Sequence, residues 1–106
     1  MSTEVSVGRV DDIPIGEGRT YAVDGEQIAV YRMRDGSLRA VGAVCPHKGG
    51  PLADGLTDDD VVVCPLHGMS YDLNTGEEVG GSGLTVCTHT ASAADDGSIR
   101  LVLECD

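Results

Sequence analysis

An all-β fold is expected from two features of the sequence. The chain of 106 residues carries 15 glycines and 4 prolines, and no segment sustains an apolar period of 3.6 residues, so helical packing lacks its apolar stripe while tight turns are abundant. Only 3% of residues are aromatic, with no Trp or Phe. The core must therefore be built from Val, Leu, Ile and Ala in one domain spanning residues 1–106, too small for two independent cores and helped by a covalent or metal staple.

The elements follow in order. Residues 19–45 alternate polar and apolar side chains, with turn signals at Asp24-Gly25 and Asp35-Gly36, and read as a three-stranded meander. Residues 46–60 hold Pro, Gly and an acidic run and read as loop. "VVVC" at residues 61–64 is a short buried strand that delivers Cys64 to a second loop. Residues 70–81 read as a hairpin turning near Asn74-Thr75-Gly76, and residues 84–104 as a last hairpin turning at Asp96-Gly97.

Seven basic against eighteen acidic side chains give a net charge of −11. That balance disfavours nucleic acid and anionic membrane, whose phosphates need Lys and Arg, and favours encounter with a basic protein surface. No run approaches the eighteen apolar residues of a membrane span, and the N-terminal stretch is acidic and polar where a signal peptide would be basic and then apolar. A soluble, cytoplasmic protein is expected. In a reducing compartment, Cys45, Cys64, Cys87 and Cys105 are expected as thiolate ligands or small buried side chains rather than as a disulfide framework.

The chemistry-bearing pattern is Cys45-x-His47, sixteen residues, then Cys64-x-x-His67. Pro46 and Pro65 stiffen the backbone after each cysteine, and Gly49, Gly50 and Gly68 let the chain pass close to a bulky inorganic group. Two thiolates and two imidazoles can hold tetrahedral zinc, which would make the chain a zinc-stapled binding module. Zinc fingers pair Cys with Cys and His with His, however. The alternating order suits a binuclear centre to which each loop gives one ligand per iron, as where two His replace two Cys on one iron of a [2Fe–2S] cluster.

The run "CPHKGGPLADGLTDDDVVVCPLHGMSYDLNTGE" resembles the paired motifs of the Rieske [2Fe–2S] ferredoxin family, and the similarity extends over roughly the whole chain. The resemblance implies one Rieske-type cluster per chain, with Cys45 and Cys64 on the inner iron and His47 and His67 on the outer one. It implies a sandwich or barrel base of antiparallel strands, about residues 1–43 and 73–106, with a loop-rich cluster-binding insert at about 44–72. Tyr71 matches the position whose hydroxyl reaches a ligand sulfur, and the amides of Lys48 to Gly50 and Leu66 to Gly68 are expected to donate to cluster sulfides. Respiratory members carry an extra cysteine in each loop and a serine near a sulfide; here Gly50, Leu66 and Met69 stand there. No bridge between the loops is expected, and a lower potential is.

Among soluble members the motifs are most similar to the small subunit of assimilatory NAD(P)H-dependent nitrite reductase. The implied partner is then a flavin and siroheme large subunit that reduces nitrite to ammonia in nitrate assimilation. Second in likeness are ferredoxins that pass electrons from a reductase to an aromatic-ring-hydroxylating oxygenase. Either way the resemblance implies a carrier of single electrons within an oxidoreductase, and no autonomous catalytic site is expected. Lys48 is expected as a solvated loop residue, His89 at a surface or edge, Cys87 buried and Cys105 a free thiol. The runs Asp58-Asp59-Asp60 and Glu77-Glu78 read as solvated turns placed to meet a docking partner.

Overall fold

A computed structural model of the chain describes residues 3–23, 25–43, 52, 55–58, 60–64 and 68–103. The strands are β1 (Thr3–Arg9), β2 (Gly18–Val23), β3 (Glu26–Arg32), β4 (Leu38–Gly42), β5 (Leu56–Asp58), β6 (Val61–Val63), β7 (Ser70–Asp72), β8 (Thr88–Ala93) and β9 (Ser98–Leu103). A short 3-10 turn, Val10–Asp12, follows β1. Six strands form one sheet in the order β1-β9-β8-β4-β3-β2, and β5-β6-β7 form a second. Every neighbouring pair is antiparallel. The all-β expectation holds.

The six-stranded sheet curls until its two edges nearly meet. Val5 and Val7 of β1 pack with Tyr21 and Val23 of β2 around Ile28, Val30, Leu38, Ala40, Ile99 and Leu101. The edges come close at Gly8, since a Cβ there would lie 3.0 Å from the Tyr21 ring and hydroxyl. Such curling removes much of the exposed strand edge that would otherwise invite pairing with other chains.

Two hairpins of this sheet share one piece of turn chemistry. In Asp35-Gly36-Ser37 and again in Asp96-Gly97-Ser98, the Asp Oδ1 accepts from the Ser amide at 2.9 Å and from the Ser hydroxyl at 2.6 Å. Between them Gly36 and Gly97 take φ of 89° and 85°, a left-handed conformation that glycine adopts without steric cost. The predicted β2-β3-β4 meander and the β8-β9 hairpin are both present.

Three expectations need correction. The alternation in β3 breaks down, because Ile28, Ala29, Val30 and Tyr31 are all buried. Ile28 and Val30 face the interior of the curled sheet, while Ala29 and Tyr31 face a second core with Val62, Cys64, Tyr71 and Leu73. A strand covered on both faces has no reason to alternate. Leu56–Asp58, read as loop, is a strand because its partners Val61–Val63 complete a ladder with it. Residues 70–81 form only half a hairpin: after β7 the returning chain makes single bridges, Tyr71 with Glu78 and Glu77 with Thr85. The N-terminal segment, noted above only for its polarity, is β1, its Val5 and Val7 turned inward.

Among the described residues no helix is long and apolar enough to cross a membrane.

Candidate cluster site

The second core is where the two sheets meet, and Cys64 lies in it. Val62 pairs with Tyr71 across β6 and β7, which puts both side chains on one face. Cys64, two residues beyond Val62, falls on that same face and is a free thiol only 1% exposed. Tyr71 is fully buried beside it in a cluster that includes Leu52, Ala43, Val41 and Tyr31. The strand period of two thus brings together the predicted ligand Cys64 and the predicted supporting residue Tyr71.

The turn after Cys64 is closed by its own backbone. Cys64 N donates to Met69 O at 2.7 Å, and Gly68 N donates to Cys64 O at 3.0 Å. Gly68 has φ of 72°. Its amide, expected to donate to a cluster sulfide, is instead spent on the Cys64 carbonyl, because a turn this tight must satisfy its own carbonyls. Cys45, His47 and His67 lie outside the described residues, as do Lys48, Gly49, Gly50 and Leu66. Among the described residues no group of three or more His, Cys, Asp or Glu side chains converges on a metal site.

In the same core, Leu52 is bonded by a residue that the sequence reading passed over. Tyr31 Oη, fully buried, donates to Leu52 O at 2.6 Å. Leu52 N donates to Ala43 O, and Gly55 N donates to Leu52 O, both at 2.9 Å. The signal lay in "IAVYR": a Tyr in an apolar run must find a partner for its hydroxyl when buried.

Two further side chains differ from expectation. Cys87 is exposed and disulfide-bonded, with its partner outside the described residues, not a buried small side chain. His89, expected at the surface, is 8% exposed, since it pairs with Ala40 in the middle of the six-stranded sheet. Cys105 lies outside the described residues.

The acidic residues hold local structure. Asp60 meets Arg39 of β4 at 3.2 Å, and the same guanidinium donates to Asn74 Oδ1 at 3.1 Å, tying the small sheet to the large one. The Glu78 carboxylate accepts from Gly80 N at 2.6 Å and Ser82 N at 3.0 Å, which organises the glycine-rich loop after it. These amides, Gly80's first, hold the Glu78 carboxyl below its ordinary pKa by favouring its charged form.

Residues 3–85 match the model of the Rieske [2Fe-2S] domain. The chain belongs to the Rieske [2Fe–2S] domain family. A ferredoxin component of naphthalene 1,2-dioxygenase/salicylate 5-hydroxylase systems from Ralstonia sp is 34% identical over 68 residues, 64% of each chain. The cytochrome b6-f complex iron-sulfur subunit of Chlorobaculum thiosulfatiphilum is 35% identical over 78 residues, 74% of this chain. This Rieske chain thus spans 64% and 41% of the length of those two relatives. In fold it is similar to a Mycobacterium tuberculosis protein assigned as the small subunit of an NADH-dependent nitrite reductase. That crystal structure has a TM-score of 0.91 at 24% identity, over 100% of this chain and 99% of that one.

Family membership implies a Rieske-type [2Fe–2S] cluster and one-electron transfer. Among the described residues one fits such a group: Cys64, just after β6, is a free thiol buried in an apolar cluster that also holds Tyr71. Burial in apolar surroundings protects such a sulfur from solvent.

Proposed function

We propose that this chain carries electrons one at a time as the small subunit of an NAD(P)H-dependent nitrite reductase, in the cytoplasm, within nitrate assimilation. The observation that carries the reading is the end-to-end agreement in fold with the Mycobacterium tuberculosis protein, which leaves almost no residue of either chain over. The partner would be a large subunit with flavin and siroheme, and the net charge of −11 suits docking on a basic face of it.

In this reading the whole of residues 1–106 is one Rieske domain, with base segments at about 1–43 and 73–106 and the cluster-binding insert at about 44–72. Cys45 and Cys64 hold the inner iron, His47 and His67 the outer iron, and Tyr71 supports a ligand sulfur. A cluster so bound supplies a one-electron couple whose imidazoles also titrate. The protein's part is to keep Cys64 dry, through Val62, Tyr71 and Leu73.

A second reading, an electron carrier to an aromatic-ring-hydroxylating oxygenase, is favoured by the 34% identity to the Ralstonia ferredoxin component. Reconstitution decides between them. The holoprotein is added to a siroheme large subunit with NADH and nitrite, and separately to an oxygenase and its reductase with an aromatic substrate. Ammonia formation that depends on this chain is expected; dihydroxylated product in the second assay alone would replace the first reading with the second.

A further inference from the structure

Among the described residues two large hydrophobic side chains stand exposed, Ile15 at 58% and Val79 at 60%. They flank opposite edges of the small sheet. Val79 N donates to Ser70 O of β7 at 2.8 Å, while the carbonyl of Gly16, the neighbour of Ile15, accepts from Thr57 Oγ1 of β5 at 2.8 Å. A lone exposed hydrophobic residue is ordinary on a protein surface and by itself indicates nothing. Three observations set Val79 apart.

The first is place. Ser70 follows Met69, whose carbonyl accepts from Cys64 N at 2.7 Å, and Ser70 pairs across the ladder with Val63. Val79 is therefore bonded to β7 level with the residue just before Cys64. The second is shape. Gly80, Gly81, Ser82 and Gly83 are all exposed, and three of their amides turn back to Glu78. Gly80 N and Ser82 N donate to its carboxylate at 2.6 and 3.0 Å, and Gly81 N to its carbonyl at 3.4 Å. Glu78 N donates to Leu84 O at 3.0 Å and closes the loop. The loop thus holds its form without a partner, so docking would order little that is not already ordered.

The third is charge. Residues 79–94 contain no Asp, Glu, Lys or Arg, the longest such run in a chain of net charge −11, and the Glu78 carboxylate is turned on the loop's own amides. Ile15 has no such setting. Asp11, Asp12 and Glu17 are near it in sequence, and the Arg34 side chain approaches Gly16. Covering Ile15 would strip water from charged groups, whereas covering Val79 would not.

We infer that the loop at residues 78–83 is a preformed docking element whose Val79 enters an uncharged, apolar recess on the protein that exchanges electrons with this chain. The inference deepens the reading proposed above, since it rests on electrons passing between the Cys64 end of the molecule and a protein partner. Acidic side chains elsewhere on the chain speed the encounter through long-range attraction, and Val79 sets how long the complex lasts.

The test uses the cluster-loaded full chain in the two reconstituted assays above, the siroheme large subunit with NADH and nitrite, and the oxygenase with its reductase. KM for this chain and kcat are read in the assay that the chain supports. Val79→Ala should raise KM by roughly 5- to 10-fold, the burial of about two methyl groups, and leave kcat unchanged. Val79→Asp should raise KM further. Glu78→Gln, which cannot accept from both amides, should raise it as well, and Ile15→Ala should leave it unchanged. The midpoint potential and the electron paramagnetic resonance spectrum of the reduced cluster should be those of wild type in all four variants.

Equal KM values for Val79→Ala and Ile15→Ala overturn the inference. So does a shifted potential or an altered spectrum in Val79→Ala, because the loop would then serve the cluster and not a partner. Sedimentation equilibrium should give wild type and Val79→Asp the same mass; a dimer that Val79→Asp dissociates would make a second copy of this chain the occupant and overturn the inference too. Wild-type holoprotein that supports neither assay would instead overturn the proposed function, and this inference with it.

Discussion

Strands in the six-stranded sheet run five to seven residues and several are joined by short local turns, whereas β5, β6 and β7 have three residues each. The large sheet nearly closes on itself and encloses its own core of Ile28, Val30, Leu38, Ala40, Ile99 and Leu101. The small sheet has one buried face, and what covers it is the outer surface of β3 and β4, through Ala29, Tyr31 and Val41. Three strands of three residues need such support, because a short ladder on its own is marginal in water. The difference teaches that the small sheet bearing Cys64 borrows its stability from the larger one. The strands buried on both faces are what couple the two.

That asymmetry can be broken most directly in the cores. Leu101 and Leu73 are almost equally buried, at 0% and 2% exposure, one in each core. Leu→Ala at either site is expected to cost about 2–5 kcal/mol, but with different reach. Leu101→Ala should speed hydrogen exchange in all nine strands, while Leu73→Ala should speed it in β5, β6 and β7 and leave β8 and β9 protected. Equal acceleration everywhere in Leu73→Ala would mean that the two sheets form one cooperative unit.

A smaller effect separates the turns. Gly25 in the β2-β3 hairpin and Gly76 after β7 have nearly the same φ, 83° and 81°. A Cβ on Gly25 meets nothing within 4 Å, whereas on Gly76 it would collide with the Val86 carbonyl oxygen. Gly25→Ala should therefore cost only the left-handed backbone penalty, about 1–2 kcal/mol, and Gly76→Ala clearly more. Thermal melts of the two variants measure this; equal losses would show that the chain around Val86 yields freely.

The smallest effect is acid titration of the turns. The Ser37 hydroxyl and then its amide hold the Asp35 carboxyl below its ordinary 3.8, and Ser98 does the same for Asp96. A carboxyl depressed in the folded state contributes stability that is present above its unfolded pKa and lost as pH falls through the folded one. The amide resonances of Ser37 and Ser98 should therefore keep their neutral-pH positions down to about 3.8 and move together below it. Those of Gly80 and Ser82 should respond in the same sense below about 4.5, the ordinary value for Glu78. Because all three carboxylates are exposed, global stability should change little over this range.

Much of this was legible in the sequence because it is local. The hairpins at Gly25, Gly36 and Gly97 fall where Asp-Gly pairs announce them, since a left-handed turn residue is a property of the residue itself. The pattern Cys45-x-His47 and Cys64-x-x-His67 pointed to a binuclear centre, and membership of the Rieske domain family implies such a cluster, while the assignment of these four side chains to it stands as the proposal above. What misled the reading was nonlocal. Leu56–Asp58 has little strand character of its own and pairs because β6 lies beside it. Cys87, which looked like a buried side chain, is exposed.

Sequence by itself determined that this chain is all-β and carries two Cys/His pairs, since residue type, turn chemistry and spacing are written along the chain. Only the tertiary structure decided that "IAVY" is buried on both faces, that Tyr71 shares a core with Cys64, and that Tyr31 reaches across to hold Leu52. Those facts depend on which surfaces meet when the small sheet folds back over β3 and β4. Side-chain alternation identifies the two faces of a strand but not what will cover the outer one.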